Sequence, residues 1–255
     1  MTVVAIVQAR MTSTRLAGKV LADIDGAPML ARVVERVSAA GLVSRVWVAC
    51  TDLGTDDPIV ECCRGLEVPV FRGSEADVLG RYVGAATAAG AEVVVRVTAD
   101  CPLLDPEVID RVVAALAPGI DYASNVLERS FPRGLDVEAF RATALARMDQ
   151  LARSTAAREH VTIGVRLEHP DLFTTANVRS PTDDSDLRWT VDTPRMARTK
   201  PGNPAPLPIS TRQSTRGGRC ARNWAESSIW RRQRSSRLPD ATRLRVFCHL
   251  ARVAA

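Results

Sequence analysis

Short apolar runs alternate with amphipathic segments over most of the first 195 residues. The strand-like runs, apolar at nearly every position as in strands buried on both faces, occupy residues 3–7, 45–50, 68–71 and 91–97. The segments with apolar residues at helical spacing occupy residues 29–40, 57–65, 76–89 and 106–116. Strands that alternate with helices in this way predict βαβ units and a mainly parallel sheet, an α/β fold.

The rhythm changes after about residue 120, where the strand-like runs become shorter. Runs at 121–125 and 134–140 predict strands of a small, partly antiparallel subregion, and those at 173–178 and 186–192 are the last strand-like runs. The segments 142–152 and 155–167 have helical patterns. In a mainly parallel sheet, ligands bind beyond the carboxyl ends of the strands, so we expect the functional residues directly after each strand.

Composition excludes several classes of protein. The chain is 46% apolar and 25% charged, which is typical of soluble proteins, and it has no apolar run near the roughly 20 residues that a membrane helix needs. The first ten residues lack the basic start of a secretory signal, so we expect a cytoplasmic protein. The six cysteines follow no metal-ligand spacing and are interpreted as reduced thiols.

The net charge of +5 is divided unevenly along the chain. Residues 196–255 hold 13 basic and two acidic residues, a balance of +11, which leaves −6 for residues 1–195. This last segment is rich in Arg, Pro and Ser and has no periodic apolar face, so it is predicted to be poorly ordered. An alternative is that its arginines bind nucleic acid, although they form no recognisable binding module.

The loop after the first strand concentrates cations. Residues 8–19 read QARMTSTRLAGK, so Arg10, Arg15 and Lys19 lie within ten residues of one another beside small Thr, Ser and Gly residues. Arginine forks, lysine ammonium groups and accessible backbone N–H groups all bind phosphate oxygens. The loop matches neither the Walker nor the dinucleotide glycine spacing. We predict a phosphate site here, the alternative being a solvated basic loop.

Several motifs, in order, resemble the cytidylyltransferase family, specifically its spore-coat polysaccharide (SpsF-like) branch. That branch is similar to the synthetases that make CMP-activated Kdo and sialic acids. The matching segments, besides the loop itself, are RGSEADVLGRY (72–82), VRVTADCPLLDPEVID (95–110), FPRGLDVEAF (131–140), REHVT (158–162) and LRWTVDTP (187–194). The resemblance covers residues 3–194, and Ala17 stands where family members usually have proline.

The resemblance implies a glycosyltransferase-A-like, Rossmann-like three-layer fold and transfer of CMP from CTP to a sugar or sugar acid. It implies Mg²⁺ as cofactor, pyrophosphate as product, a role in surface polysaccharide or glycan synthesis, and a nucleotidyltransferase core over residues 1–195. The expected site residues are Arg10, Arg15, Lys19 and Asp100 for catalysis; Gln8, Ala9, Arg10, Gly18, Lys19, Ser74, Asp77 and Arg81 for the nucleotide; Asp136, Glu138, Glu159 and His160 for the sugar; and Asp100 and Asp192 for the metal.

Residue chemistry is consistent with these roles but leaves alternatives. Two aspartates that follow strand-like runs could share one Mg²⁺, although Asp100 could instead cap a turn or helix. Asp136 and Glu138 alternate with apolar residues and could face one side of a strand or simply be solvated. His160 could act as a base or could cap a helix. A homodimer, another nucleotide, a sugar 1-phosphate acceptor and lost activity are left open.

The sequence after Thr193-Pro194 departs from the family. Family members continue with a Glu-Asp pair and a helix, whereas this chain continues with Arg195 and Met196. One base restored to the proline codon would give Thr-Pro-Glu-Asp, so we interpret residues 196–255 as a frame-shifted, non-native segment. This interpretation predicts that the segment does not contribute native structure.

Overall fold

The computed structural model describes residues 1–13 and 15–192. The predictions made for residues 196–255, including poor order and the frame shift, lie outside the described residues. The strands are β1 (Val3–Gln8), β2 (Arg45–Thr51), β3 (Val70–Gly73), β4 (Val93–Thr98), β5 (Tyr122–Ser124), β6 (Glu138–Arg141) and β7 (Thr175–Asn177). The α-helices are α1 (Met29–Ser38), α2 (Asp57–Gly65), α3 (Val78–Ala89), α4 (Pro106–Ala114), α5 (Ala142–Leu151) and α6 (Thr155–His160).

The strands form one mixed sheet in the order β3-β2-β1-β4-β6-β5-β7. Strands β1 to β4 are parallel to one another, whereas β6 runs antiparallel to both β4 and β5. Strand β7 pairs parallel with β5. The predicted α/β fold with a mainly parallel sheet and a small antiparallel part is confirmed.

Both faces of the sheet are covered, which explains the continuous apolar run of β1. Val3, Ala5 and Val7 pack into a core with residues of α1, α2 and α4. Val4 and Ile6 point to the other face and pack with residues of α3 and α5. A strand buried on both faces needs apolar side chains at every position, because successive residues face opposite sides.

Three predicted elements differ in the structure. The run 134–140 forms a strand only at Glu138–Arg141, because the buried Asn125 side chain takes the place of ladder bonds: its amide donates to the Leu135 carbonyl and accepts from Val137 N. The run 186–192 is not a strand and makes one bridge, between Arg133 and Arg188. The predicted helix over 155–167 is interrupted after His160, because Val161 has a φ of +54°, and helical structure resumes as a π-helix over Gly164–Glu168.

Two further findings concern the whole described part of the chain. No helix in it is long and apolar enough to cross a membrane. Its cysteines, Cys50, Cys62, Cys63 and Cys101, are all free thiols. Burial raises the pKa of Cys63 to about 12, so this thiol stays protonated and acts as a small core residue.

Candidate active site

Strands β1 and β4 lie side by side and end together at the same edge of the sheet. Gln8 pairs with Thr98 in the register, and Ala99 N donates to the Gln8 carbonyl at 3.0 Å. The cationic loop that follows β1 and the Asp100 turn that follows β4 therefore begin beside each other. This edge is where a parallel sheet binds ligands.

The loop after β1 folds back on itself around Met11. The Met11 carbonyl accepts hydrogen bonds from Ser13 N and Gly18 N, both at 2.9 Å. Gly18 has a φ of +70°, which a side chain would strain, and Lys19 begins a short 3₁₀ turn immediately after it. The loop closure thus directs Lys19 toward the edge of the sheet.

Lys19 bridges the two aspartates predicted to hold the metal. Its Nζ donates to Asp100 Oδ2 at 2.8 Å and to Asp192 Oδ1 at 3.0 Å. Arg15 donates to the same Asp192 Oδ1 at 2.9 Å, and Arg188 donates to Asp192 Oδ2. We call these five residues the strand-end cluster. Three cations and two carboxylates meet in it, although they are up to 177 residues apart in sequence.

Each aspartate is oriented by a threonine two positions before it. Thr98 Oγ1 donates to Asp100 Oδ1, and Thr190 Oγ1 donates to Asp192 Oδ2, both at 2.7 Å. Burial would raise the pKa of Asp192, but hydrogen bonds from Arg188, Thr190 and Lys19 outweigh it and hold the pKa well below the ordinary value. Asp192 is therefore an ionised carboxylate at neutral pH.

Close contacts between the backbone of residues 189–191 and two neighbouring loops position Asp192 at the site. Trp189 N donates to the Arg133 carbonyl at 2.6 Å, and Val191 N donates to the Asp100 carbonyl at 2.9 Å. Gly134, with a φ of +108°, makes this possible, because a Cβ there would lie 2.8 Å from the Trp189 carbonyl carbon. The extended segment is thus held by backbone contacts without becoming a sheet strand.

The predicted nucleotide residues Arg10 and Ser74 line a cavity of about 460 Å³ beside the loop. Glu75 shares this cavity and accepts from Thr12 Oγ1 at 2.5 Å, with Arg10 Nη1 3.8 Å away. Glu159, predicted for the sugar, also lines it. The structure therefore places Glu159 beside the predicted nucleotide residues Arg10 and Ser74. Asp136, the other carboxylate predicted for the sugar, does not line this cavity.

Two other predicted nucleotide residues have structural partners. The Asp77 carboxylate caps α3 by accepting from Gly80 N at 2.8 Å, and it forms an ion pair with Arg158. Arg81 is 1% exposed, and its guanidinium donates to the carbonyls of Ser74 and Glu75. Both residues shape the segment that lines the cavity. Ala9 is buried, and Gln8 Oε1 lies 3.5 Å from Arg96 Nη2.

Glu138 does not lie on an open surface as a sugar ligand would. It is 4% exposed; its Oε1 accepts from Tyr122 at 2.6 Å and Thr162 at 2.7 Å, and Oε2 pairs with Arg96. We call these four residues the buried cluster. Burial would raise the pKa of Glu138, but Arg96 and the hydroxyl donors outweigh it and lower the pKa. The expectation that Glu138 faces the sugar is corrected, because the carboxylate is buried and its partners Tyr122 and Thr162 are themselves buried.

Asp136 and Glu138 also do not share a face of one strand. Asp136 precedes β6 and forms a two-pronged ion pair with Arg129, at 2.6 and 3.0 Å. Asp136 keeps a partly exposed side chain, so it stays a candidate for the sugar side. His160 is the last residue of α6, and its carbonyl accepts from Thr162 N at 2.5 Å. The base role predicted for His160 stays a prediction.

Two residues that sequence reasoning missed support the site. Arg188, four residues before Asp192, pairs with its carboxylate. Asp56 is fully buried and accepts a hydrogen bond from Met11 N in the cationic loop. The Thr-x-Asp pattern, present at 98–100 and again at 190–192, is a sequence signal that would have linked the two aspartates. Asp56 has no comparable local signal.

Comparisons with known proteins show the family to which the chain belongs. Residues 4–195 match the family model described as cytidylyltransferase. The spore coat polysaccharide biosynthesis protein SpsF of Bacillus subtilis is 34% identical over 182 residues, covering 69% of this chain and 74% of that protein. A 3-deoxy-manno-octulosonate cytidylyltransferase of Geobacter sulfurreducens is 44% identical over 119 residues, 46% of each chain. A solved cytidylyltransferase structure from Leptospira borgpetersenii superposes with a TM-score of 0.72 at 34% identity, covering 76% of this chain and 82% of the other.

Proposed function

Because this chain belongs to the cytidylyltransferase family and is a CTP-dependent nucleotidyltransferase, we propose that it transfers CMP from CTP to a sugar acid and releases pyrophosphate. The observation that carries the proposal is the Asp100–Lys19–Asp192 bridge at the ends of β1 and β4. The acceptor class is supported by the similarity to the 3-deoxy-manno-octulosonate cytidylyltransferase of Geobacter sulfurreducens, and a role in surface polysaccharide synthesis by the similarity to SpsF.

In the proposed reaction, a hydroxyl group of the acceptor loses its proton to solvent and its oxygen attacks the α-phosphorus of CTP, while the bond to the pyrophosphate oxygen breaks and pyrophosphate leaves. Arg15 and Lys19 bind the phosphate oxygens and stabilise the charge that develops on them. Arg10, at the cavity rim, binds the nucleotide close to them. In the structure these cations pair with Glu75, Asp100 and Asp192, so phosphate binding requires them to exchange partners.

The donor set fits a divalent cation, for which we propose Mg²⁺. Asp100 and Asp192 supply carboxylate oxygens, which this ion prefers, and no group of three or more metal-ligating side chains exists in the described residues. The remaining ligands would be phosphate oxygens and water, as is usual for Mg²⁺. When bound, the ion would polarise the phosphate and neutralise its charge.

We further propose that residues 1–195 form the catalytic core and that the protein works in the cytoplasm, where CTP is available. Asp136, with its partly exposed carboxylate, is proposed to face the acceptor sugar. Glu159 is proposed to act at the nucleotide cavity instead, because it lines that cavity with Arg10 and Ser74.

The test is pyrophosphate release by the full chain with CTP, Mg²⁺ and an eight-carbon sugar acid. We expect Asp100→Ala and Asp192→Ala each to reduce kcat/KM by at least about 100-fold, since several kcal/mol of charge stabilisation are lost. Asp105→Ala is the matched control, because Asp105 lies in the same loop but caps α4. Equal activity in Asp100→Ala and the control would contradict the proposal.

Substrate panels separate the finer alternatives. We expect CTP to be preferred over UTP, ATP and GTP, and a sugar acid to be preferred over a sugar 1-phosphate. Preference for another nucleotide or for a sugar 1-phosphate would overturn that part of the proposal while leaving the nucleotidyltransferase assignment in place.

A further inference from the structure

Asp56 is a buried carboxylate that the proposed reaction does not use. It is 0% exposed and directly precedes α2, where an aspartate commonly caps the helix. Here the side chain makes no cap bond to α2. Its oxygens turn instead toward the ends of β1 and β2, so capping does not account for an aspartate at this position.

All hydrogen-bond partners of the Asp56 side chain are donors. Oδ1 accepts from Met11 N at 2.8 Å, and Oδ2 accepts from Thr51 N at 2.8 Å and Thr51 Oγ1 at 2.7 Å. Within the described residues, no cation lies within ion-pair distance of the Asp56 carboxylate. A carboxylate suits this site because it accepts at both oxygens. An asparagine would keep its oxygen at the two Thr51 donors and turn its N–H toward Met11.

Met11 is the pivot of the cationic loop. Its N–H is held by Asp56, and its carbonyl accepts from Gly18 N, the residue directly before Lys19. The chain of contacts therefore runs from Asp56 through Met11 and Gly18 to Lys19, which bridges Asp100 and Asp192. A shift of the anchored Met11 backbone would be passed to Lys19 through the loop closure.

We propose that Asp56 is a positioning residue that fixes the Met11 backbone and thereby presents the cations of the 8–19 loop to the phosphates of the nucleotide. The part that concerns the nucleotide rests on the proposed function. The part that concerns the loop does not, because it follows from hydrogen bonds within the protein alone.

The test compares amide hydrogen exchange in the full-length protein and in Asp56→Asn, which keeps the side-chain size. Loss of one buried acceptor is expected to speed exchange at Met11 and Gly18 by about 5- to 150-fold. Amides of β1 and β4 should exchange as in the wild type. Unchanged loop exchange, or faster exchange in every strand, would overturn the proposal, since Asp56 would then have no effect on the loop or would act on the whole fold.

CTP titration supplies the second measurement. We expect Asp56→Asn to raise KM for CTP by a similar factor while changing kcat less, since the loop can still be ordered by saturating nucleotide. Faster loop exchange with unchanged CTP affinity would overturn the positioning role. If the wild type binds no CTP, the proposed function fails, and the exchange measurement still decides whether Asp56 anchors the loop.

Thr51→Val is the matched control, because it removes one donor to the same carboxylate and leaves the Met11 bond intact. Its loop exchange and KM should match those of the wild type. If Asp56→Asn does not fold, amide hydrogen exchange in the wild type tests the proposal. The Met11 amide must then exchange as slowly as the Thr51 amide, which donates to the same carboxylate. Rapid exchange at Met11 beside slow exchange at Thr51 would exclude the anchor.

Discussion

The strand-end cluster and the buried cluster use the same residue types to different ends. Both combine carboxylates with cations and with hydroxyl donors. In the buried cluster the Glu138 side chain is 5% exposed, and both of its oxygens are bonded within the protein. In the strand-end cluster the Asp192 side chain is equally buried, at 3%, and both of its oxygens are bonded, but its partner Arg15 is 60% exposed and the Asp100 side chain is 24% exposed.

This difference separates ion pairs that hold a fold from ion pairs that can serve a ligand. A buried pair with all its bonding capacity used resists change, because exposing or unpairing either charge is costly. A pair at a strand end can exchange partners, because water and ligands reach it and the cations have further N–H donors. The kind of residue does not decide between the two, and neither does burial of the carboxylate alone. The exposure of its partners does: Arg15 and Arg188 are partly exposed, whereas Tyr122 and Thr162 are buried.

The largest effect on stability is expected from Glu138→Ala. It leaves the Arg96 guanidinium buried without its counter-charge, which should lower the free energy of unfolding by about 3–5 kcal/mol. Urea unfolding measures the loss. Activity should fall only with the folded fraction.

Glu138→Gln sharpens this prediction because it keeps the shape and removes only the charge. It should destabilise less than Glu138→Ala while leaving KM for the sugar unchanged in the folded protein. If Glu138→Gln raised KM for the sugar without lowering the free energy of unfolding, Glu138 would be a sugar ligand and the contrast between the two clusters would be wrong.

Lys19→Ala should produce the largest loss of nucleotide affinity in the strand-end cluster. Lys19 is only 11% exposed and lies between two aspartates, so it contacts phosphate in a partly desolvated place. A charge-assisted contact of about 1.5–3 kcal/mol corresponds to an affinity loss of roughly 10- to 150-fold. Calorimetry should find the loss for CTP and not for cytidine.

Arg64→Ala is the matched control for removing a cation, since Arg64 is exposed on α2 and pairs only with Glu61 among the described residues. It should leave CTP affinity unchanged. Equal losses for CTP and cytidine in Lys19→Ala would mean that the loop does not bind phosphates.

Arg15→Ala should have a smaller effect than Lys19→Ala. Its guanidinium is largely exposed, so water and salt weaken its contacts. We expect an affinity loss of about 2- to 5-fold, corresponding to no more than about 1 kcal/mol for an exposed pair. The loss should shrink further as ionic strength rises. An effect as large as that of Lys19→Ala would show that Arg15 becomes buried against the nucleotide.

The smallest effect is expected in how the free energy of unfolding decreases at acidic pH. The pKa values of Asp192 and Glu138 are lower in the folded protein than in the unfolded chain. The stabilisation from both groups is therefore present above the ordinary carboxyl pKa of about 4 and is lost as pH falls through their folded values. Arg188→Ala should raise the pKa of Asp192 and flatten this decline. Unfolding measured between about pH 2 and 5 would detect the change.

The order of strands and helices up to residue 116 could be predicted because each buried strand is apolar at every position and each helix has a clear apolar face. The region after 120 was predicted less well. There, the structure depends on contacts that no local pattern records, such as the Asn125 side chain replacing ladder bonds and the Gly134 backbone approaching Trp189.

The site shows the same limit. The cations of the loop and Asp100 could be predicted because they follow β1 and β4, which end at one edge. Asp192 was expected after a strand-like run that forms no strand, and backbone contacts hold it there instead. The burial of Glu138 could not, because it depends on pairing with Arg96 across an antiparallel register 42 residues away. Asp56 was missed for a related reason, since its partner Met11 lies 45 residues earlier.

The reversed direction of β6 has a consequence for how this fold can diversify. Because β6 enters the sheet where β4 leaves it, the residues that precede β6 reach the same edge as Asp100 without belonging to the loops that carry the cations. Asp136 and its neighbours can therefore change in sequence and length while Lys19, Asp100 and Asp192 stay in register. Under the proposed function, acceptor choice and phosphate chemistry depend on separate stretches of chain, so substitutions before β6 can alter the acceptor without displacing Lys19 or Asp100.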